Sequence, residues 1–259
     1  MPGHPGRITA LDTRISPIGP FRSIAHRGEP LGHRENTLPG IAAAIAAGAD
    51  LVEIDVKVTR DGEVVLLHDL GLARLWQDRR QITDLDHDQL AALTVDDHRI
   101  PTLQETLELI GRSRSGLLID LDATTWADPS LAVVRAAVEQ QAIRAEQVAW
   151  CGRPDSLSVI RSEDPTARIV CSWDESDGDG ALPDERVLED LRPEAFNPHW
   201  PMLLDPESGE SVRRWIADHG LATCCWTVDD PAVMQELLGL GVNAMITNRI
   251  TTLQELSAR

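Results

Sequence analysis

The chain has 259 residues, 42% of them hydrophobic, and a formal net charge of −18 at pH 7. That length fits one large domain or two small ones, and α/β barrels reach it as a single unit with ample apolar material for a core. The negative balance argues against nucleic acid and anionic membranes as partners, and it repels phosphate-bearing ligands globally, so any attraction to them has to be local.

Residues 1–20 contain prolines and glycines but no apolar h-region, so they read as a loosely ordered lead-in and not as a secretory signal. From residue 21 to 259, short apolar runs alternate with helical patterns. Runs at 23–26, 51–58, 117–121, 148–150, 168–171, 195–197, 222–228 and 244–247 read as eight strands. A further run at 64–68 follows the turn signal Asp61-Gly62 and pairs as a hairpin with the second strand. The spacing predicts helices over 37–47, 130–141, 154–162, 211–219, 231–238 and 253–258. Thr102 and Glu105 have capping-box spacing and open another. Eight strand–helix alternations predict a single-domain (β/α)8 TIM barrel over 21–259, and no G-x-G-x-x-G follows any strand to suggest an open sheet.

The four cysteines, Cys151, Cys171, Cys224 and Cys225, form no C-x-x-C pair and read as small apolar filler, the last two pointing to opposite faces of a strand. The acidic, glycine-rich stretch 174–185 fails calcium-loop spacing, with Glu175 at its first position and Arg186 at its twelfth, and reads as a solvated surface loop. No run of about 18 apolar residues is present, so no spanning helix and no stable membrane insertion is expected, and the cytoplasm is the expected location. Oligomeric state is left open.

An ordered polar set occupies the ends of the first strands: His26-Arg27-Gly28, Glu35-Asn36-Thr37, Glu53-Ile54-Asp55, Asp61-Gly62 and His68-Asp69. Glu53 and Asp55 are two apart and share a strand face, about 6–7 Å apart along the strand. Asp120 and Asp122 repeat that arrangement at the end of the next main strand. Carboxylates aimed from adjacent strands at one barrel mouth need a cation, and oxygen-only ligation points to Mg²⁺ or Ca²⁺. His26 and His68 each end an apolar segment and form a candidate acid–base pair, while Arg27 can grip an anion. Together these abilities are what metal-assisted cleavage of a small phosphoester needs. Of the other histidines only His199, just after the sixth strand, is placed to reach the mouth.

The motif order H-R-G, E-N-T, E-x-D, D-G, H-D resembles the glycerophosphodiester phosphodiesterase family, whose members are TIM barrels. The resemblance continues through Arg99-Ile100-Pro101-Thr102-Leu103, Trp226-Thr227-Val228-Asp229, Gly241-Val242-Asn243 and Thr247-Asn248-Arg249, so it spans about residues 22 to 256. It implies that Glu53, Asp55 and Asp120 bind a divalent metal, that Arg27 holds the phosphate, and that His26 and His68 act as general base and general acid, in an order left open. The implied reaction converts glycerophosphodiesters to glycerol phosphate and an alcohol.

One departure stands out. The family's third-strand motif is E-x-K, whereas this chain has Asp120-Leu121-Asp122. Reversing one charge about 5 Å from an anionic ligand costs it up to about 6 kcal/mol at an effective dielectric near 20. Lys57, the only lysine in the chain, lies two residues past Asp55 and is placed to reach over the mouth. Leu75-Trp76 and Cys151-Gly152 also depart from the family's usual residues, which suggests a reshaped pocket. Three readings follow: a phosphodiesterase with altered preference, in which Asp122 adds a ligand or binds a polar substrate group; a phospholipase D-like relative on the same barrel; or a non-catalytic barrel that binds a polyol or phosphate ligand.

Overall fold

The computed structural model describes residues 12–177 and 181–258. The described residues form nine strands: β1 (Arg22–His26), β2 (Leu51–Val58), β3 (Val64–Leu66), β4 (Gly116–Leu121), β5 (Val148–Gly152), β6 (Ile169–Trp173), β7 (Ala195–Pro198), β8 (Ala222–Thr223) and β9 (Ala244–Thr247). Eight of them form a parallel sheet in the order β8-β7-β6-β5-β4-β2-β1-β9, and β3 pairs antiparallel with β2 beyond the Asp61-Gly62 turn. Backbone bonds from Ile246 N to Cys225 O (2.8 Å) and from Val228 N to Ile246 O (2.9 Å) join the two ends. The result is the TIM barrel that the strand–helix alternation predicts.

Alternation along each strand sorts the apolar residues into two layers. Ile24, Leu51, Leu118, Ala149, Val170 and Ala244 fill the barrel interior. Ala25, Val52, Ile54, Leu117 and Ile119 face outward into the helical layer. Cys224 belongs to the inner set and Cys225 to the outer one, as adjacent strand residues must.

The helices are α1 (Leu38–Ala46), α2 (Ala73–Trp76), α3 (His87–Ala91), α4 (Leu103–Gly111), α5 (Ala127–Glu139), α6 (Pro154–Glu163), α7 (Glu185–Leu191), α8 (Pro201–Leu204), α9 (Gly209–Asp218), α10 (Pro231–Gly239) and α11 (Ile250–Ser257). Thr102 caps α4 by the expected reciprocal box, with Glu105 N donating to Thr102 Oγ1 at 3.2 Å and Thr102 N to Glu105 Oε2 at 3.0 Å. None of the described helices is long and apolar enough to cross a membrane.

Three regions differ from the sequence expectation. The strand expected over 222–228 is regular only at β8, because Cys224 N still bonds Phe196 O while Cys225 and Val228 turn their bonds to β9. The segment between β3 and α4 builds its own small core from Val65, Leu67, Leu72, Trp76, Ile82, Leu85, Leu90 and Ile100. It includes α2 and α3 and flanks the mouth of the barrel.

The expected lead-in is partly outside the described residues, which begin at 12. Within them, Thr13 and Ile15 are buried rather than loose. Ile15 joins the interior cluster, its N–H bonds Glu194 Oε1 at 3.2 Å, and Arg168 reaches Thr13 O at 2.9 Å. Burying one isoleucine in this way is worth about 2 kcal/mol.

Candidate active site

Strand register decides what meets at the barrel's C-terminal mouth. His26 on β1 stands opposite Glu53 on β2, and Asp55 stands opposite Asp120 on β4. Glu53 and Asp55 both point inward, and Asp120 joins them from the neighbouring strand. One oxygen from each of the three lies within 4.8 Å of the others. Like charges at that spacing resist ionisation. Burial, then Asp55 and Asp120, push the Glu53 carboxyl well above its ordinary range, and burial and Asp55 raise Asp120 to about 6.

A tight turn after β1 brings the countercharge. Arg27 and Gly28 both have positive φ, 56° and 90°, and a Cβ on Gly28 would sit 2.7 Å from the Gly40 carbonyl carbon. The turn aims Arg27 N–H at Glu53 Oε2 (3.0 Å) and folds the guanidinium against Asp55 (Nε to Oδ2, 3.1 Å) and Glu35 (Nη1 to Oε1, 3.0 Å). Arg27 Nε is buried and makes an ion-pair contact without a well-directed hydrogen bond. Asn36, also at positive φ (55°), locks Asp55 from the other side by donating Nδ2 to Oδ2 at 2.7 Å.

The two histidines are held differently. Asp229 accepts from Asn248 Nδ2 at 2.7 Å and from Asn248 N at 2.8 Å, which fixes the amide with its oxygen toward His26. His26 Nδ1 therefore donates to Asn248 Oδ1 (2.8 Å), and Nε2 carries the lone pair, 4.0 Å from Glu53 Oε2. Burial and the Arg27 charge lower the His26 pKa below the usual histidine value.

His68 lies two residues past β3 and is half exposed; its Nδ1 is 2.6 Å from Asp69 Oδ1. Arg74 bridges Asp69 (Nε to Oδ2, 2.5 Å) and Glu35 (Nη2 to Oε1, 2.7 Å). Arg74, aided by His68, holds the Asp69 carboxyl down at about 2. Burial works against ionisation of Glu35, but Arg74 and Arg27 outweigh it and keep that carboxyl below its ordinary range.

His26, Arg27, Glu53, Asp55, His68 and Asp120 all line one cavity of about 300 Å³, and Asp122 and Trp226 line it too. Lys57 does not. The lysine expected to reach over the mouth is 2% exposed, with Nζ 3.0 Å from Asp122 Oδ2 behind the wall. A four-carbon stem inside the barrel is more cheaply buried than extended, provided its ammonium finds a carboxylate.

Cys151 is more than filler, since it lines the cavity and its Sγ–H donates to Asp120 Oδ1 at 3.4 Å. His199 stays off the cavity: its ring packs on Trp226 (centroids 5.1 Å apart) and its Nδ1 meets Glu175 at 3.0 Å. The acidic stretch read as a solvated loop also needs correction in its described part. Asp174 and Asp177 line the cavity, and Asp177 is buried against Arg153 (2.9 Å). Their position directly after a barrel strand was the available signal. Asn248, Asp229 and Arg74 support the histidines but carry no local mark of that role.

Barrel and mouth together place the molecule among the TIM-barrel phosphoric diester hydrolases. The glycerophosphoryl diester phosphodiesterase family profile matches residues 26–252, and the chain belongs to that family. A glycerophosphodiester phosphodiesterase of Caldanaerobacter subterraneus subsp. tengcongensis is 27% identical over 245 residues, covering 89% of this chain and 95% of that protein. Among solved structures, an Oleispira antarctica phosphodiesterase in complex with the product sn-glycerol-3-phosphate superposes with a TM-score of 0.80 at 22% identity, covering 92% of this chain and 97% of the other. The glycerophosphodiester phosphodiesterase of Thermotoga maritima gives a TM-score of 0.75 at 23% identity, covering 92% and 99%.

Proposed function

We propose that this chain hydrolyses glycerophosphodiesters to glycerol phosphate and an alcohol, with His26 and His68 as its acid–base pair. The observation that carries this reading is the meeting of an all-oxygen triad, Arg27 and two oriented imidazoles in one cavity. The triad fits a hard divalent cation: three carboxylate oxygens lie within 4.8 Å, and two of the acids are raised in pKa by burial and mutual repulsion. Mg²⁺ or Ca²⁺ held by Glu53, Asp55 and Asp120 would neutralise charge on a non-bridging phosphate oxygen.

The remaining work falls to the chain's own groups. Arg27, already turned into the cavity by Asp55 and Glu35, offers its unused N–H groups to a phosphate oxygen. His26 Nε2, unprotonated, takes the proton of the attacking hydroxyl, either water or the substrate's neighbouring glycerol hydroxyl, whose attack leaves a cyclic phosphate that a water then opens to glycerol phosphate. As the phosphorus–oxygen bond to the alcohol breaks, His68 gives that oxygen a proton, with Asp69 balancing the charge the ring has carried. Four free buried cysteines fit a reducing cytoplasm. The test is hydrolysis of a panel of glycerophosphodiesters with Mg²⁺ or Ca²⁺. His26→Ala is expected to abolish turnover while metal binding survives, and a wild-type protein that cleaves none of the panel would overturn the reading.

A further inference from the structure

The segment between β3 and α4 carries His68 near its start, and α2 follows five residues later. Among the described residues, the backbone-to-backbone bonds of 70–77 close within 70–82: Leu72 N donates to Arg80 O (3.1 Å), Ile82 N to Leu70 O (2.8 Å) and Trp76 N to Leu72 O (2.8 Å). Helix α2 is four residues long, too short to hold its place by helical bonding alone. Beyond its share of the satellite core, it is held to the mouth by polar contacts with the loop between β1 and α1. One contact is the bridge from Arg74 to Glu35. The other is Arg34, which the reaction above does not use and which stays outside the cavity.

Arg34 makes three contacts with the segment. Its Nη1 donates to Leu75 O, its guanidinium carbon lies 5.1 Å from the centre of the Trp76 ring, and its Nη2 reaches Asp96 Oδ2 at 2.9 Å. These contacts are unequal. Asp96 is 80% exposed, so that ion pair is screened and contributes little. The Arg34 side chain is 15% exposed and Trp76 is buried, so the carbonyl bond and the indole face do the holding. The loop behind Arg34 is fixed as well: Thr37 Oγ1 donates to Arg34 O at 2.7 Å, and Asn36 N donates to Arg27 O at 3.0 Å. Leu75 and Trp76 directly follow Arg74 in α2. Arg34 thus clasps the neighbours of the residue whose guanidinium spans Asp69 and Glu35.

We infer that Arg34 is a positioning residue for proton delivery by His68. It seats α2 on the β1–α1 loop at the spacing where Arg74 reaches both Asp69 and Glu35, and Asp69 in turn holds His68 Nδ1 at 2.6 Å. This rests on the phosphodiesterase reading and adds to it a residue outside the cavity. Without Arg34 the segment keeps its apolar core and stays folded, but its distance from the loop is no longer fixed. Lysine is a poor substitute, because one ammonium cannot bond the Leu75 carbonyl and lie flat on the indole together.

The test is a cycle of kcat and KM, with Mg²⁺ and the glycerophosphodiester that wild type cleaves fastest, over wild type, Arg34→Ala, Arg74→Ala and the double variant. Arg34→Ala is expected to lower kcat about tenfold while KM stays within about twofold of wild type. In the Arg74→Ala background the same change should cost less than about twofold, because the group it acts through is gone. Arg34→Lys should recover only part of kcat, and Asp96→Ala should stay within about twofold of wild type. Losses that multiply in the double variant, a rise in KM with kcat intact, or full rescue by lysine overturn the inference. Melting curves accompany each variant; should Arg34→Ala unfold, Arg34→Lys replaces it in the cycle, where an undiminished kcat or a multiplying loss is the overturning result. If wild-type protein cleaves no diester, the hydrolase reading falls and NMR decides the positioning alone. The His68 ring Cε1–H resonance should then move in Arg34→Ala as it does in Arg74→Ala, with that of His219 unmoved. A His68 resonance that stays in place sinks the inference.

Discussion

Lys57 Nζ lies 3.0 Å from Asp122 Oδ2, joining the penultimate residue of β2 to the residue just past β4. On motif grounds alone, Asp122→Lys restores the family's lysine and ought to improve a phosphate site. The geometry predicts the reverse, because the substitution sets a second ammonium beside one that is 2% exposed. The expected cost is about 1–3 kcal/mol, below that of a fully buried pair because half of Asp122 is in solvent. Melting temperature should fall by several degrees and activity should not rise. The exchange Lys57→Asp with Asp122→Lys should recover much of the lost stability in a double-mutant cycle. An unchanged melting temperature for Asp122→Lys alone would mean that the pair contributes nothing.

The triad makes the metal-free protein less stable as pH rises, opposite to the behaviour of an ion-paired carboxylate. Asp120, raised to about 6 from an ordinary value near 3.8, binds its proton more tightly folded than unfolded. Its contribution is intact below about pH 4 and is lost as pH climbs to about 6, costing about 3 kcal/mol by pH 7. Glu53 shifts in the same direction. Melting curves from pH 4.5 to 8 in chelator should show this decline, and adding Mg²⁺ or Ca²⁺ should reverse it most strongly above pH 6, where Asp120 has given up its proton. A metal response that is flat across that range would contradict the proposed ligand set.

Asp229 is expected to control His26 without touching substrate. It holds the Asn248 amide so that oxygen faces His26 Nδ1. Asp229→Asn keeps the shape but lets the amide turn and offer N–H to Nδ1, which selects the tautomer with its proton on Nε2. A fall in kcat of about 10–100-fold is expected, with KM and metal affinity near wild type. If KM rises instead while kcat holds, Asp229 serves substrate binding and not the tautomer.

The barrel was legible because its strands are short apolar runs whose inner and outer residues alternate, and the triad because Glu53 and Asp55, two apart, break the apolar run of β2 on one face and Asp120 comes near the end of the next main strand. What stayed hidden depends on contacts between distant parts of the chain. Asn248 meets His26 across 222 residues, and nothing local in Thr247-Asn248-Arg249 signals it. Asp174 and Asp177 were read as solvated because composition dominates a glycine-rich acidic stretch, whereas their position after β6 turns them inward. Lys57 was placed near the mouth, but only packing could decide between phosphate and Asp122 as its partner. The satellite core between β3 and α4 mixes short turns with isolated leucines and offers no period to read.

That satellite core presents Arg74, which ties the two halves of the site together. Its guanidinium spans Asp69, the partner of His68, and Glu35, the partner of Arg27. Arg74→Ala frees Asp69 to rotate away from His68 Nδ1, while Glu35 keeps Arg27 as a partner. Proton delivery should therefore suffer more than phosphate binding, with kcat down about tenfold and KM changed little. Stability should drop by less than about 1 kcal/mol, since Arg74 and Asp69 are both partly exposed. The acid limb gives an independent check. Asp69 at about 2 contributes stability above its unfolded pKa that is lost as pH falls toward 2, so the variant should unfold less steeply between about pH 4 and 2. Arg74→Lys, which reaches one carboxylate but not both, should restore only part of the activity. Full rescue by lysine would show that charge near Asp69, rather than the two-armed bridge, is what His68 requires.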